Sequence, residues 1–183
     1  MMEIPFLLTE ACFAALWLAL RIAVWCRQKR IDWKREAVLL LMYVNLAVIL
    51  RYTFFPLFRL NGHVRPLVFD PAHVLPLRIN WIPFLRMLDY QRRGDLLLNV
   101  AGNLALFMPS GIMLPLVYPQ LHRFWKVVAA GAGLSFCIEV LQLPFQVRSS
   151  DVDDLIQNTL GVIIGYGLYL LLRKTWSARR RAR

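Results

Sequence analysis

The chain alternates between long apolar runs and connections that carry most of its charged and turn-forming residues, and the connection between the second and third runs is long. A hydrocarbon core of about 30 Å needs roughly 20 apolar residues in a helix, so runs of that length predict membrane-spanning helices. The sequence contains five, at approximately residues 4–26, 37–58, 96–118, 124–145 and 152–172. The pattern therefore predicts an all-α, polytopic membrane helix bundle: one membrane domain over residues 1–183, with a basic tail at 173–183.

Composition excludes the other broad classes of protein. The chain is 58% hydrophobic and 18% charged, and its mean hydropathy is +0.50. These values exclude a water-soluble domain and a disordered chain. The three cysteines are odd in number and lie in apolar runs, which excludes a disulfide scaffold. The net charge of +11 comes without a nucleic-acid-binding motif, so no nucleic-acid partner is expected.

Basic residues predict how the helices cross the membrane. The first run has no basic residue before it and is too long for a cleavable signal peptide. Lysine and arginine are concentrated in residues 27–35 and in the tail, which places both in the cytoplasm and the N-terminus outside. The connection between the second and third runs then lies outside. Its prolines exclude one continuous helix, and the apolar segment at residues 81–88 is suited to the membrane interface.

Polar residues in four of the five runs fall at one predicted depth. Arg51 lies about 21 Å along its run from the cytoplasmic side, in the outer third. An ionisable residue at membrane depth costs about 2.5 to 3.5 kcal/mol, so it needs a partner or a wet cavity. We therefore predict an outward-facing polar cleft lined by Arg51, Asn99, Asn103, Glu139, Gln142, Arg148, Asp151, Asp154 and Asn158.

Structural roles compete with this interpretation. Asn and Gln in membrane helices often serve as interhelical contacts worth about 0.6 kcal/mol, and Arg51 with Glu139 would form a structural ion pair. Residues 149–151 are typical of a helix N-cap. Asp151, Asp153 and Asp154 could hold magnesium or calcium, but carboxylates at a helix start more commonly stabilise the helix, so no metal and no cofactor is expected.

Proline and small residues suggest two further features. Pro109 and Pro115 should kink or break the third helix, and a break would open a cavity. The pairs Gly161 with Gly165 and Ala129 with Gly133 have the small-xxx-small spacing that favours close helix packing.

The candidate residues occur in an order that resembles a known family. Arg51 is followed by N-W-I-P-F at residues 80–84, by N-V-A-G-N-L-A-L-F-M-P-S-G at 99–111, and by E-V-L-Q-L-P-F-Q-V-R-S-S-D-V-D-D-L-I-Q-N-T-L-G at 139–161. Over roughly residues 37–172 the chain is similar to the VanZ-like family of bacterial membrane proteins. The resemblance implies a small helical protein of the cell envelope linked to resistance to teicoplanin-type glycopeptides. It does not imply a mechanism.

Two functional hypotheses remain. In the first, the protein is not an enzyme: its partners are membrane lipids and an amphiphilic ligand, such as a lipid-linked wall precursor or a lipoglycopeptide, whose anionic head group the arginines hold. In the second, it is an intramembrane enzyme with Glu139 as general base and with Asp151 and Asp154 as acids or metal ligands. The sequence favours the first, because it contains no identifiable nucleophile and base pair and no zinc, P-loop or serine-hydrolase motif. A structural subunit is a third alternative.

Overall fold

The computed structural model contains five α-helices that are long and apolar enough to cross a membrane. They are α1 (Phe6–Gln28), α2 (Trp33–Phe54), α3 (Arg93–Val117), α4 (Phe124–Gln142) and α5 (Val152–Arg181). The structure describes residues 2–55, 59–60, 63–74, 79–84, 92–145 and 150–181. The predicted all-α membrane fold with five spans is confirmed, and α5 runs on into the basic tail.

Local signals determine where α2 begins and ends. The carboxylate of Asp32 caps its first turn by accepting hydrogen bonds from the backbone N–H groups of Lys34 (3.1 Å) and Arg35 (3.3 Å), so α2 starts earlier than predicted. Phe55 precedes a proline and has an extended backbone, with φ of −101° and ψ of 141°. A residue before proline is disfavoured in the helical region, which explains why α2 ends at Phe54.

The third helix continues through both of its prolines. α3 is assigned as one helix over Arg93–Val117, although Pro109 and Pro115 lie inside it. The expectation that they would break it is therefore wrong, while a kink stays a prediction. Membrane helices tolerate proline because neighbouring groups satisfy the freed carbonyls. Ser110 and Pro115 are buried, so the region lies inside the packed part of the protein.

The chain forms two compact units, each built from two segments. The first comprises Met1–Ile79 and Ile138–Ser150 and includes α1, α2 and the end of α4. It also contains two antiparallel pairs that the hydropathy pattern did not predict. They join β1 (Met2–Ile4) to β4 (Leu67–Phe69), and β2 (Arg59–Leu60) to β3 (His63–Val64).

A tight turn and an ion pair hold α1 beside α2. Lys29 adopts a left-handed conformation with φ of 51°, and its backbone N–H closes α1 by bonding the Trp25 carbonyl at 2.9 Å. The Arg21 guanidinium then pairs with the Glu36 carboxylate, with Nε to Oε2 at 2.9 Å. No residue of α1 is buried, so its apolar side chains are free to face lipid.

The second unit comprises Asn80–Cys137 and Asp151–Arg183, and its centre is the packing of α3 against α5. A Cβ added at Gly161 or Gly165 would collide with backbone carbonyls of α3. The predicted close packing at this glycine pair is confirmed. The close packing predicted for the second pair, Ala129 with Gly133, is wrong, because no atom of the described residues lies within 4 Å of a Cβ built on Gly133. In α4 the close contact is instead made by Gly131, against Val162.

Candidate functional site

The predicted site residues divide between the two units, so each group is described by itself. Arg51, Glu139 and Gln142 belong to the first unit. The second unit contains Asn99, Asn103, Asp151, Asp154 and Asn158. Arg148 lies outside the described residues, and its place in a polar cleft stays a prediction.

In the first unit, two predicted residues bond the end of α2. Arg51 donates from Nη1 to the Phe55 carbonyl at 3.2 Å, and Gln142 donates from Nε2 to the Thr53 carbonyl at 2.6 Å. A helix leaves its last carbonyls without helical partners. We call Arg51 and Gln142 the helix-end pair, because these two bonds satisfy backbone acceptors there.

Arg51 also faces apolar rings and an acidic residue of α1. Its guanidinium carbon lies 5.3 Å from the centre of the Phe6 ring and 5.4 Å from that of Tyr52, within the range of cation–π contacts. It also acts electrostatically on Glu10. Sequence reasoning missed Glu10, although a lone carboxylate inside an apolar run was the signal for it. Glu139 is buried, at 5% exposure, and its pairing with Arg51 stays a prediction.

In the second unit, Asp151 occupies the start of α5. Its Oδ1 accepts from the Asp153 backbone N–H at 3.0 Å and from Nδ2 of Asn80 at 3.0 Å. The first of these bonds confirms the predicted N-cap. The second ties the cap to the short strand β5 (Ile79–Asn80), which forms a two-stranded sheet with β6 (Ser150–Asp151).

Asp153 is more deeply buried, at 4% exposure. Its Oδ1 accepts from the backbone N–H of Phe84 at 2.7 Å. Its Oδ2 is buried and has no hydrogen-bond partner within the described part of the chain. Phe84 has a φ of 66°, a left-handed conformation that costs an L-residue about 1 to 2 kcal/mol. The bond to Asp153 therefore holds a strained backbone in place.

Asn103 joins α3 to the second turn of α5. Its amide nitrogen donates to Oδ1 of Asp154 at 2.8 Å and to Oε1 of Gln157 at 3.0 Å. Two of the residues predicted to line the polar cleft thus contact each other, while the cleft itself stays a prediction. Asn99, one turn earlier, is half-buried and makes no hydrogen bond to this group among the residues described.

Asn158 joins α5 to α4. Its Nδ2 donates to the hydroxyl of Ser135 at 3.0 Å, and both residues are almost completely buried. Its Oδ1 is buried without a partner in the described ranges. We call the polar side chains of these three hydrogen-bonded groups in the second unit the amide–carboxylate set: Asn80, Asn103, Ser135, Asp151, Asp153, Asp154, Gln157 and Asn158.

The three aspartates of this set have different partners. Asp151 bonds Asn80, Asp153 bonds the Phe84 backbone, and Asp154 bonds Asn103. Within the described ranges, no three histidine, cysteine, aspartate or glutamate side chains converge in a metal-binding arrangement. Asp151 and Asp153 instead bond the two ends of residues 80–84, and Asp154 bonds α3.

Sequence reasoning missed three members of the set. Gln157 was signalled by its position three residues after Asp154, which places both on one helix face. Asn80 belongs to the N-W-I-P-F motif, but nothing in its spacing indicated contact with Asp151. Ser135 carried no signal, because a single serine in an apolar helix is ordinary.

An apolar groove lies on α4 and α5, the helices that also carry Ser135 and Asn158 of this set. It has a volume of about 520 Å³ and is lined by Ala132, Gly133 and Phe136 on α4 and by Leu155, Ile156, Thr159 and Leu160 on α5. The Thr159 hydroxyl bonds a backbone carbonyl of its own helix at 2.7 Å. The same turns of α5 thus carry polar side chains of the set and the apolar lining of the groove.

Comparison with known proteins identifies relatives for most of the chain. The sequence profile described as VanZ/LLP1 matches residues 36–173. Protein VanZ of Enterococcus faecium is 30% identical over 102 residues, which are 56% of this chain and 58% of that protein. The match therefore spans less than two thirds of that relative's length. No solved structure matches the chain.

Proposed function

We propose that this chain, which belongs to the VanZ/LLP1 family of membrane proteins, binds an amphiphilic or lipid-linked ligand of the bacterial cell envelope. The observation that carries the proposal is that the same turns of α4 and α5 carry both polar side chains of the amide–carboxylate set and the lining of an apolar groove. An amphiphile has the same division into a polar head and an apolar chain. Its head group would lie at the set and its chain along the groove.

The polar part of this arrangement exceeds what helix packing requires. Asp153, Gln157 and Asn158 are buried within the first two turns of α5, and Asp151 is buried directly before it. Ionisable residues at membrane depth are costly and commonly mark a ligand or ion pathway. Within the described part of the chain, the buried Oδ2 of Asp153 and Oδ1 of Asn158 have no donor, so a ligand that reached them would supply one.

The chemistry of the set indicates what kind of head group fits. Its members are carboxylates, amides and one hydroxyl, and none of them is basic. Such a set best accepts hydrogen bonds from hydroxyl, amide or ammonium groups. The apolar chain adds about 0.8 kcal/mol for each methylene that it buries. A lipid-linked sugar or a lipid-tailed glycopeptide has this combination of donors and an acyl chain.

The groove offers a direct test. Expressed in a susceptible Gram-positive host, the protein should raise tolerance to lipid-tailed teicoplanin more than to vancomycin. Gly133→Leu should abolish that difference, because the new side chain occupies the groove without meeting any described atom near its Cβ. Gly102→Leu is the matched control, since Gly102 is also a helical glycine with open space around it. Equal tolerance to the two drugs, or equal effects of the two variants, would contradict the proposal.

The polar set has its own test. At matched protein amounts, Asp154→Asn should weaken tolerance by degrees, whereas Asp95→Asn, an exposed carboxylate in the first turn of α3, should not. An enzyme that used Asp154 for proton transfer would instead lose about 100-fold or more in turnover. Mass spectrometry of the host's lipids and wall precursors should show no species that depends on the protein. A lipid or precursor species that appears with the protein and disappears in Asp154→Asn would show that the protein is an enzyme and not only a binding protein.

The proposed ligand site faces outward, with the N-terminus outside and the C-terminus in the cytoplasm. In a background without the native cysteines, a cysteine at Ser149 should react with a membrane-impermeant thiol reagent in intact cells. One at Gln28 should react only after the cells are opened. The reverse pattern would place the site on the cytoplasmic side.

A further inference from the structure

Two hydrogen bonds join the N-W-I-P-F motif to the start of α5, one from a side chain of the motif and one from its backbone. Asn80 donates to Asp151 at 3.0 Å, and the Phe84 backbone donates to Asp153 at 2.7 Å. Within the motif, the Asn80 side chain accepts from the Ile82 backbone at 3.3 Å. We call residues 80–84 the clamped segment. Both ends of it are fixed by buried carboxylates.

The remaining side chains of the clamped segment point away from the protein. Trp81 is 70% exposed, Ile82 60% and Phe84 58%. Three large apolar side chains in five residues form a patch that a water-soluble surface rarely presents. Phe84 has a strained backbone conformation in this arrangement, with a φ of 66°.

The contact of the clamped segment with the start of α5 indicates what covers the apolar patch. The membrane-spanning part of α5 begins at Val152, next to the residue that Asn80 bonds. The end of a spanning helix lies near the boundary between hydrocarbon and head groups. Tryptophan is enriched at that boundary, because its ring is apolar and its N–H is polar.

We propose that the clamped segment is an interfacial anchor, inserted between the head groups and acyl chains of the membrane that the protein spans. Trp81, Ile82 and Phe84 supply the inserted surface. Asp151 and Asp153 are positioning residues that hold the segment at this depth. This role differs from ligand binding, and it accounts for two of the three aspartates at the start of α5 whether or not a ligand binds.

A nitroxide at position 82 measures the depth. Ile82→Cys is labelled in a background without Cys12, Cys26 and Cys137, and the protein is placed in vesicles of equimolar phosphatidylcholine and phosphatidylglycerol. We expect the accessibility of this nitroxide to oxygen and to a water-soluble nickel chelate to lie between the values measured at two labelled reference positions. These are Lys29→Cys in a polar connection and Leu16→Cys within α1. Accessibility equal to that at Lys29 would overturn the anchor.

The clamp is tested by removing its acceptors. Asp153→Ala and Asn80→Ala should each increase nitroxide mobility and broaden its depth, because one end of the segment is released. Asp153→Asn retains an acceptor oxygen for the Phe84 N–H and should restore the wild-type spectrum, and Asp95→Ala should leave it unchanged. If Asp153→Ala does not fold, Asn80→Ala decides. An interfacial depth that neither alanine variant alters would overturn the positioning role.

Discussion

The helix-end pair and the amide–carboxylate set both place polar side chains in apolar helices, but their hydrogen bonds have different targets. Arg51 and Gln142 donate to backbone carbonyls at the end of α2. In the second unit, Asn103 and Asn158 donate to side chains of other helices. The first arrangement answers a requirement that every helix end has.

In the second arrangement Asp151 caps the start of α5, but no helix end requires the bonds of Asn103 and Asn158. Asn103 and Ser135 lie inside α3 and α4, where the backbone groups have helical partners. Their bonds instead join three helices, and two buried oxygens of the set, on Asp153 and Asn158, are left without partners among the described residues. The difference teaches that similar polar residues at similar predicted depth need separate explanations: the helix-end pair donates to backbone carbonyls, whereas Asn103 and Asn158 join helices through their side chains.

The largest expected effect removes the packing that supports the amide–carboxylate set. Gly165→Ala should lower the free energy of unfolding by about 3 kcal/mol or more, because its new methyl collides with the Met108 carbonyl, which cannot move without displacing α3. Gly167→Ala, two residues later on α5, has open space and should raise that free energy by about 0.4 to 1 kcal/mol. Denaturant titration in detergent micelles measures both. Equal losses would mean that α3 and α5 do not depend on this close approach.

An intermediate effect separates the two groups by their function. Gln142→Leu leaves one Thr53 carbonyl without its donor and should cost about 1 to 3 kcal/mol, with tolerance to teicoplanin falling only as protein amount falls. Asn103→Leu removes two bonds and should have a similar or somewhat larger cost. Its tolerance at matched protein amount should fall as well. If tolerance follows protein amount equally in both variants, the distinction between the two groups fails.

The smallest expected effect on stability concerns the bonded pair Ser135 and Asn158. The Oδ1 atom of Asn158 has no partner among the described residues. Ser135→Ala alone should cost about 1 kcal/mol, because it removes the hydroxyl that accepts from Asn158. The double change Ser135→Ala with Asn158→Leu should return close to wild-type stability, since replacing both partners by apolar groups is nearly neutral. Tolerance measured on the same double variant should fall if Asn158 Oδ1 serves the ligand. Retained tolerance would assign this pair to packing alone.

Local sequence signals predicted most of the fold. The five apolar runs have the length that a bilayer requires. Their helices form close to the predicted positions, because the length and apolar composition of a run do not depend on a tertiary partner. Helix ends were predicted less well: the N-cap Asp32 placed the start of α2 before residue 37. Short strands such as β1 and β4 were not predicted, because two or three residues carry too little pattern.

The candidate site was predicted in part. Common depth and helix-face spacing brought Asn103 and Asp154 into one prediction, and the two are bonded. Depth does not specify direction around a helix axis, so the same reasoning included Asn99, which bonds none of the set within the described chain. Nor does it select the partner, so the bonds of Arg51 and Gln142 to α2 carbonyls were not foreseen.

The sequence by itself determined that the chain is a five-span membrane protein of the VanZ/LLP1 family, because span length, apolar composition and motif order are properties of residues along a line. Only the tertiary structure decided that Asp151 holds Asn80 and that Asp153 holds Phe84, across about 70 residues of chain. Such bonds depend on which helix faces meet. That choice follows from steric fit at positions such as Gly161 and Gly165, where backbones approach within contact distance. The glycine spacing predicted close packing there, but it did not specify that α3 would be the partner helix.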